Sequence, residues 1–131
     1  VLFMTKTNSN HIIESETVNV YAINSDTLLF LYKAKTLIEL TDLKFVLDHH
    51  SALTKEKLYK IVVEFPQFTS LTAEAREYAV AYQLPAIAEA IVIKTLAQRI
   101  TARFYYMFNA QKHPVKVFTD REKAIEWLKA Y

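Results

Sequence analysis

Short apolar runs alternate with amphipathic segments along the chain, and each run predicts one strand. Two β-rich runs, residues 17–22 and 27–33, are separated by a short polar turn and predict an antiparallel hairpin. Three later runs predict three further strands, because each is mainly apolar and bounded by proline or turn residues. They span residues 59–65, 88–95 and 114–118.

Four segments repeat apolar residues every three or four positions, which predicts four helices. They are residues 41–53, 72–83, 96–109 and 120–131. Thr72 is the expected N-cap of the second helix. A capping box formed by Thr119 and Glu122 is expected to open the fourth. On the third helix we expect the apolar stripe to face the sheet; this stripe consists of Leu96, Ile100, Phe104, Met107 and Phe108.

The element order ββαβαβαβα predicts a single α/β domain. After the hairpin, each helix connects two strands, and such crossovers make the strands parallel. The predicted architecture is therefore a mixed five-stranded sheet flanked by four helices. We assign residues 11–131 to this domain. Residues 1–10 start at Val1 and turn polar after four apolar positions, and we expect them to be disordered or derived from cloning.

Charge and composition narrow the function classes. The 131 residues carry a formal net charge of +2 with basic and acidic residues intermixed, which argues against nucleic acid as a partner. The chain has no cysteine, so disulfides and thiolate metal sites are excluded. It shows no secretory-signal pattern and no apolar run long enough for membrane insertion, so we expect a cytoplasmic protein.

The chain contains no glycine, and this absence excludes three enzyme classes. A phosphate-binding loop, a dinucleotide fingerprint and a nucleophile elbow need backbone conformations that only glycine adopts cheaply. His50 falls on the apolar stripe of the first helix, and His49 points about 100° away from it, so the two cannot bind one metal ion together. We therefore predict no catalytic residue, no metal site and no cofactor.

Three segments carry a family resemblance. They are residues 61–78, 90–109 and 113–131, and the last combines a strand, a capping box and a helix with Trp127 and Leu128 near its end. Together with the element order, these segments resemble the STAS-like superfamily, the fold of anti-sigma-factor antagonists, and more closely its small bacterial members of unassigned function. The resemblance implies a non-enzymatic domain that binds proteins or small ligands, sometimes as a homodimer.

In the regulatory branch of that superfamily, a partner kinase phosphorylates a serine in an Asp-Ser-Ser-Gly motif. The corresponding stretch here begins at Thr72 and reads Thr-Ala-Glu-Ala, so both serines and the glycine are replaced. Ser70 and Thr72 are the remaining candidate sites of modification. Glu74 fits three explanations: a mimic of the phosphate, loss of the switch, or a carboxylate favoured by the helix dipole.

A ligand edge is expected where parallel strands end and helices begin, because helix N-termini present unpaired N–H groups. The residues predicted to bind an anion or a phosphorylated ligand at this edge are Thr69, Ser70, Thr72, Lys94, Thr95, Arg99 and Thr119. The alternative is that the threonines are ordinary N-caps and that Lys94 is solvated.

A second candidate surface lies on the third helix. Arg99, Arg103 and Tyr106 are spaced to form one stripe, with Arg76 as a possible neighbour from the second helix. Arginine and tyrosine are favoured at protein interfaces, so the stripe predicts a partner-binding surface. The alternative is the solvated face of a helix that packs on the sheet.

Two functions are compatible with these patterns. The first is a regulatory or scaffold domain that binds a protein partner and can form a homodimer. The second is a carrier of a small anionic or lipid-like ligand, held in a cavity lined by aromatic residues, although dense core packing is their alternative role. Those aromatic residues are Phe30, Tyr32, Phe45, Tyr59, Phe104 and Phe108.

Overall fold

The computed structural model describes residues 13–53, 57–107 and 112–131, with side chains for all of these except residues 53 and 104–107. The strands within these ranges are β1 (Ile13–Glu14), β2 (Val18–Ala22), β3 (Thr27–Tyr32), β4 (Leu37–Ile38), β5 (Lys60–Phe65), β6 (Ser70–Leu71), β7 (Glu89–Ile93) and β8 (Val115–Phe118). The helices are α1 (Leu40–Leu53), α2 (Ala73–Ala81), α3 (Leu96–Met107) and α4 (Arg121–Leu128). None of these helices, within the described ranges, is long and apolar enough to cross a membrane.

Six strands form one mixed sheet in the order β1-β2-β3-β5-β7-β8. The first three are antiparallel, and β3, β5, β7 and β8 run parallel. The mixed α/β class and the four helices are confirmed, but the prediction of five strands is wrong. The sixth strand, β1, pairs Ile13 with Val20 and Glu14 with Asn19. Two residues are too few to show a two-residue period, so the sequence pattern does not reveal this strand.

The β2–β3 hairpin forms as predicted, because its turn supplies its own hydrogen bonds. Asn24 Oδ1 accepts from the Asp26 N–H at 2.9 Å, and the Ile23 N–H donates to the Thr27 carbonyl at 2.9 Å. An asparagine side chain that bonds the backbone two residues further on stabilises a turn without glycine.

A separate two-stranded sheet joins two loops. In it, β4 pairs in parallel with β6. The Ser70 N–H donates to the Thr36 carbonyl at 3.1 Å, and the Thr72 N–H donates to the Ile38 carbonyl at 3.0 Å. These bonds fix the path of the chain from β5 into α2.

Side chains alternate along the central strands and so contribute to two helical layers. On β5, Ile61 and Val63 belong to the core shared with α1 and α2, whereas Val62 belongs to the core shared with α4. Phe30 in the first core and Leu128 in the second are each 1% exposed. Each layer therefore contains a large side chain that is almost fully buried.

Helix α4 packs as predicted but begins differently. Its N-cap is Asp120, whose Oδ1 accepts from the Glu122 N–H at 2.8 Å, so the expected cap at Thr119 is wrong by one residue. Ala124 and Leu128 are buried against the sheet. Aspartate outranks threonine as an N-cap, which explains the shift.

Helix α3 is turned differently from the prediction. Leu96 is 69% exposed and Ile100 is 60% exposed, so their predicted inward orientation is wrong. Gln98 faces inward instead. Each residue of an α-helix turns by about 100°, so Leu96 and Ile100, which are two positions before and after Gln98, point about 200° away from it. The remaining members of the predicted stripe have side chains outside the described residues; they are Phe104, Met107 and Phe108.

Candidate functional site

A groove of about 210 Å³ lies between α2, α3 and the carboxyl ends of β5 and β7. Its wall is mainly apolar and includes Phe65, Leu71, Val80, Ile91, Ile93 and Ala97. Five polar residues also line it: Thr69, Ser70, Arg76, Gln98 and Thr101. An apolar concavity with a few polar groups is typical of a small-molecule site.

Gln98 joins two sides of this groove. At the start of α3, the Gln98 N–H donates to Thr95 Oγ1 at 3.1 Å, and the Thr95 N–H donates to Gln98 Oε1 at 3.1 Å. This is a reciprocal capping box. Gln98 Nε2 donates to the carbonyls of Pro66 at 3.0 Å and Thr69 at 2.9 Å. One side chain therefore holds the start of α3 and the β5–β6 loop together.

Three residues that the sequence assigned to different sites share one part of the groove. Thr69 is buried, and its Oγ1 donates to the Lys33 carbonyl at 2.7 Å. Arg76 is half-buried on α2, and its Nη1 donates to the Leu71 carbonyl at 2.6 Å. Ser70 is exposed. They meet because β6 leads directly into α2.

The other residues of the predicted ligand edge lie outside the groove. Thr72 Oγ1 accepts from the Ala75 N–H at 3.1 Å, so Thr72 is the N-cap of α2, as Thr95 is of α3. Lys94 and Thr119 are exposed, and Lys94 Nζ donates to the Thr119 carbonyl at 3.3 Å. The fold therefore separates the residues of the predicted ligand edge into two groups, one that lines the groove and one on the neighbouring surface.

One face of α3 points to solvent. We call it the α3 outer surface, and it consists of Leu96, Arg99, Ile100 and Arg103. Their spacing of i, i+3, i+4 and i+7 places the four side chains on one side of the helix. The predicted partner stripe is thus only partly assembled, because Arg76 lies in the groove and the side chain of Tyr106 lies outside the described residues.

Phe68 is a surface residue that the sequence analysis missed. It lies in the β5–β6 loop, is 65% exposed, and has a backbone φ of 65°. This left-handed conformation is uncommon for any residue with a side chain and is exceptional for a bulky one. The sequence signal for this conformation was an aromatic residue in a tight loop after Pro66, in a chain that has no glycine to occupy such a position.

Buried polar residues lie in the layer of α1 and α2. His50 Nε2 lies 3.1 Å from the Pro85 carbonyl oxygen, and its ring meets the Phe30 ring edge-on at a centroid distance of 5.5 Å. Burial lowers the pKa of His50, against smaller opposing effects of Pro85 and Glu89. Glu89 Oε1 lies 3.1 Å from His113 Nε2. No group of three potential metal ligands occurs among the residues with described positions.

The aromatic residues predicted to line a single cavity are dispersed. Phe30 and Tyr32 line a second, smaller cavity of about 80 Å³. Burial raises the pKa of the Tyr32 hydroxyl, which therefore stays neutral. Phe45 is exposed on α1, and Tyr59 is buried before β5. Two further side chains, those of Phe104 and Phe108, lie outside the described residues.

An ion pair connects α4 to the sheet on the opposite layer. Arg121 Nε donates to Glu64 Oε1 at 2.6 Å, and Arg121 Nη2 donates to Glu64 Oε2 at 3.1 Å. The Glu64 side chain is only 8% exposed. The hydrogen bond to this carboxylate raises the pKa of Arg121. Two parallel bonds of this kind fix geometry as well as charge.

The fold belongs to the SpoIIAA-like class. The chain is similar to an uncharacterised protein of the DUF3478 family with a SpoIIAA-like fold from Shewanella loihica PV-4, with a TM-score of 0.59 and 17% sequence identity over 88% of this chain and 98% of that one. This likeness confirms the STAS-like fold expected from the sequence. The model of the family described as Domain of unknown function (DUF7793) matches residues 21–131, and the chain belongs to that family. No curated protein matches the sequence.

Proposed function

We propose that this chain is a non-enzymatic STAS-like domain that binds a protein partner through the α3 outer surface. The observation that carries the proposal is the exposure of Leu96 and Ile100, at 69% and 60%, on the same side of α3 as Arg99 and Arg103. An apolar pair bordered by arginines is a composition that protein interfaces favour.

The phase of α3 supports this proposal. The Gln98 bonds to the β5–β6 loop hold the helix in an orientation that leaves Leu96 and Ile100 in water. Exposing adjacent apolar side chains forgoes the stabilisation that their burial would give. A bound partner would recover it. If two copies of this chain packed together through this surface, Arg99 and Arg103 of one copy would face the same arginines of the other, and these like charges would repel. A homodimer would therefore use another surface.

Partner retention tests the proposal. Tagged wild-type protein, an Ile100→Glu variant and a Leu58→Glu control are incubated with a lysate of the source organism, and retained proteins are identified by mass spectrometry. Leu58 is 47% exposed and lies before β5, at the other end of that strand from Phe68. Leu58→Glu therefore introduces the same charge at another exposed apolar position. Retention by wild type and control, with loss in Ile100→Glu, is expected. Equal retention by all three would contradict the proposal.

A second candidate function is the binding of a small amphipathic anion. The groove of about 210 Å³ favours it, because an apolar wall meets the Arg76 guanidinium and the hydroxyls of Thr69 and Ser70. A carboxylate with a short hydrocarbon chain matches this arrangement.

Calorimetric titration with octanoate tests this second candidate. We expect binding by wild type and by an Arg103→Gln control, which changes a charge outside the groove, and weakened binding by Arg76→Gln. Ala97→Phe, which fills the groove, should abolish binding. Absence of heat with wild-type protein, or equal affinity in every variant, would exclude this class of ligand.

A further inference from the structure

The groove adjoins the smaller cavity of about 80 Å³, which we call the inner cavity. Four apolar side chains line both spaces, and each comes from a different element: Phe65 from β5, Leu71 from β6, Ala79 from α2 and Ile91 from β7. The boundary between the two spaces is therefore a neck framed by these four side chains. The smallest of them, Ala79, extends from the backbone by only one methyl group.

Strand β7 runs along both spaces. Glu89, Ile91 and Ile93 lie on one face of the sheet, because successive side chains of a strand alternate between its faces. Ile93 lines the groove, Ile91 lines both spaces and Glu89 lines the inner cavity. At about 3.3 Å per residue, the path from Ile93 to Glu89 is about 13 Å long. One extended ligand that follows this strand would therefore occupy both spaces.

The two ends of this path carry different polar groups. At the groove end are the Arg76 guanidinium and the hydroxyls of Thr69 and Ser70, which suit a carboxylate. At the inner end are the Tyr32 hydroxyl and the Glu89 carboxylate, and these residues are only 4% and 7% exposed. The surface between the two ends is apolar. A ligand that fills the whole path therefore needs a polar group at each end.

A hydroxyl group matches the inner end. Burial raises the pKa of Tyr32, with further contributions from the charges of Asp42 and Glu89, so its hydroxyl stays protonated and donates hydrogen bonds. The Glu89 carboxylate accepts them, and its Oε1 lies 3.1 Å from His113 Nε2. A hydroxyl both accepts and donates, so it satisfies both groups. A methyl end would place hydrocarbon against these buried polar groups, which is costly.

We infer that the groove and the inner cavity form one elongated site for a medium-chain carboxylate with a hydroxyl group at its far end. The carboxylate binds Arg76, the chain passes the neck, and the hydroxyl meets Tyr32 and Glu89. This inference rests on the second candidate function and specifies the length and the far end of its ligand. The three bonds of an extended residue span about 3.6 Å, so a chain of about eleven bonds covers the path.

Calorimetric titration of the full chain with three carboxylates tests the inference. They are octanoate, dodecanoate and 12-hydroxydodecanoate. Each additional buried methylene strengthens binding by up to about fourfold, so we expect 12-hydroxydodecanoate to bind at least about tenfold tighter than octanoate. Dodecanoate is the more hydrophobic of the two longer chains, yet it should bind at least about threefold weaker than 12-hydroxydodecanoate, because it lacks the hydrogen bonds at the inner end.

Two variants address the inner cavity alone. Leu47 lines the inner cavity but not the groove, so Leu47→Trp should reduce the affinity for 12-hydroxydodecanoate to about that for octanoate and leave octanoate unchanged. Tyr32→Phe should abolish the preference for 12-hydroxydodecanoate over dodecanoate. The matched control is Leu58→Trp, which adds the same ring at an exposed position that lines neither space and should change no affinity. Circular dichroism that matches that of wild type shows that each variant folds.

The outcomes separate this inference from the function on which it rests. If octanoate and 12-hydroxydodecanoate bind equally, or if Leu47→Trp binds both as wild type does, the inference falls and the second candidate function stands. Tighter binding of dodecanoate than of 12-hydroxydodecanoate would also overturn the inference, because the far end would then prefer hydrocarbon. If neither octanoate nor 12-hydroxydodecanoate binds, or if Arg76→Gln weakens neither, the second candidate function fails together with the inference.

Discussion

Helices α3 and α4 each follow a strand of the parallel half of the sheet, yet they meet the sheet in different ways. Helix α4 buries Ala124 and Leu128 completely or nearly so. Helix α3 exposes Leu96 and Ile100 and is held at its first turn by the amide of Gln98. The difference indicates that α4 contributes more to stability, whereas α3 leaves apolar side chains exposed and borders a groove.

The polar contacts of the two helices differ in the same sense. Arg121 on α4 forms two bonds with the buried carboxylate of Glu64, so a charge in the sheet depends on this helix. Gln98 on α3 binds backbone carbonyls of a loop and involves no charge. Removing the first contact leaves a buried ion without its partner, and removing the second affects mainly the position of the β5–β6 loop.

The largest expected effect is at the buried end of α4. Leu128→Ala should lower the free energy of unfolding by about 3 kcal/mol, because it removes packed methyl groups and leaves a cavity. Urea denaturation followed by circular dichroism measures this loss. A loss below about 1 kcal/mol would mean that α4 does not close its layer, and the contrast with α3 would fail.

The ion pair of α4 gives the next effect. Arg121→Met should cost about 2 kcal/mol, less than the roughly 3–5 kcal/mol of a fully buried pair, since the Arg121 side chain is 35% exposed. The double variant Glu64→Gln with Arg121→Met should recover most of this loss, because no unpaired carboxylate remains. A double-mutant cycle in urea tests this coupling, and additive losses would contradict it.

His50 provides a pH test of the closed part of the α1–α2 layer. Burial lowers its pKa in the folded chain, so the unfolded chain binds a proton more readily. The stability that this neutral histidine allows is present above about pH 6.5 and is lost as the pH falls below that unfolded value, at most by about 1.4 kcal/mol per pH unit. Unfolding free energies measured from pH 7 to pH 5 should decline less steeply in His50→Leu.

The matched control for this test is His49→Gln, because His49 is exposed on the same helix. Its decline with pH should equal that of the wild type. A wild-type slope in His50→Leu would show that another group causes the pH dependence.

The smallest expected effect is on the α3 outer surface. Ile100→Ser should change the free energy of unfolding by less than about 0.5 kcal/mol, because the side chain is 60% exposed. Urea denaturation followed by circular dichroism measures this change as well. A loss of about 2 kcal/mol would indicate that Ile100 is buried in solution and would remove the basis of the proposed interface.

Much of the fold was predictable from the sequence because regular elements leave a periodic pattern. The β2–β3 hairpin, the three later strands β5, β7 and β8, and all four helices were found in this way. The strands β1, β4 and β6 were not, since each has two residues and gains its order from a neighbouring strand. The candidate site was predictable only in part: Thr69, Ser70 and Arg76 were named, but for different roles.

The sequence by itself determined the class of the domain and the order of its main elements, because these depend on local pattern and residue type. Only the tertiary structure decided the direction in which α3 presents its apolar residues. That direction depends on Gln98, which bonds two carbonyls about thirty residues earlier in the chain. The backbone conformation at Phe68 has the same origin, because the hydrogen bonds of Gln98 hold its loop and leave no periodic signal in the sequence.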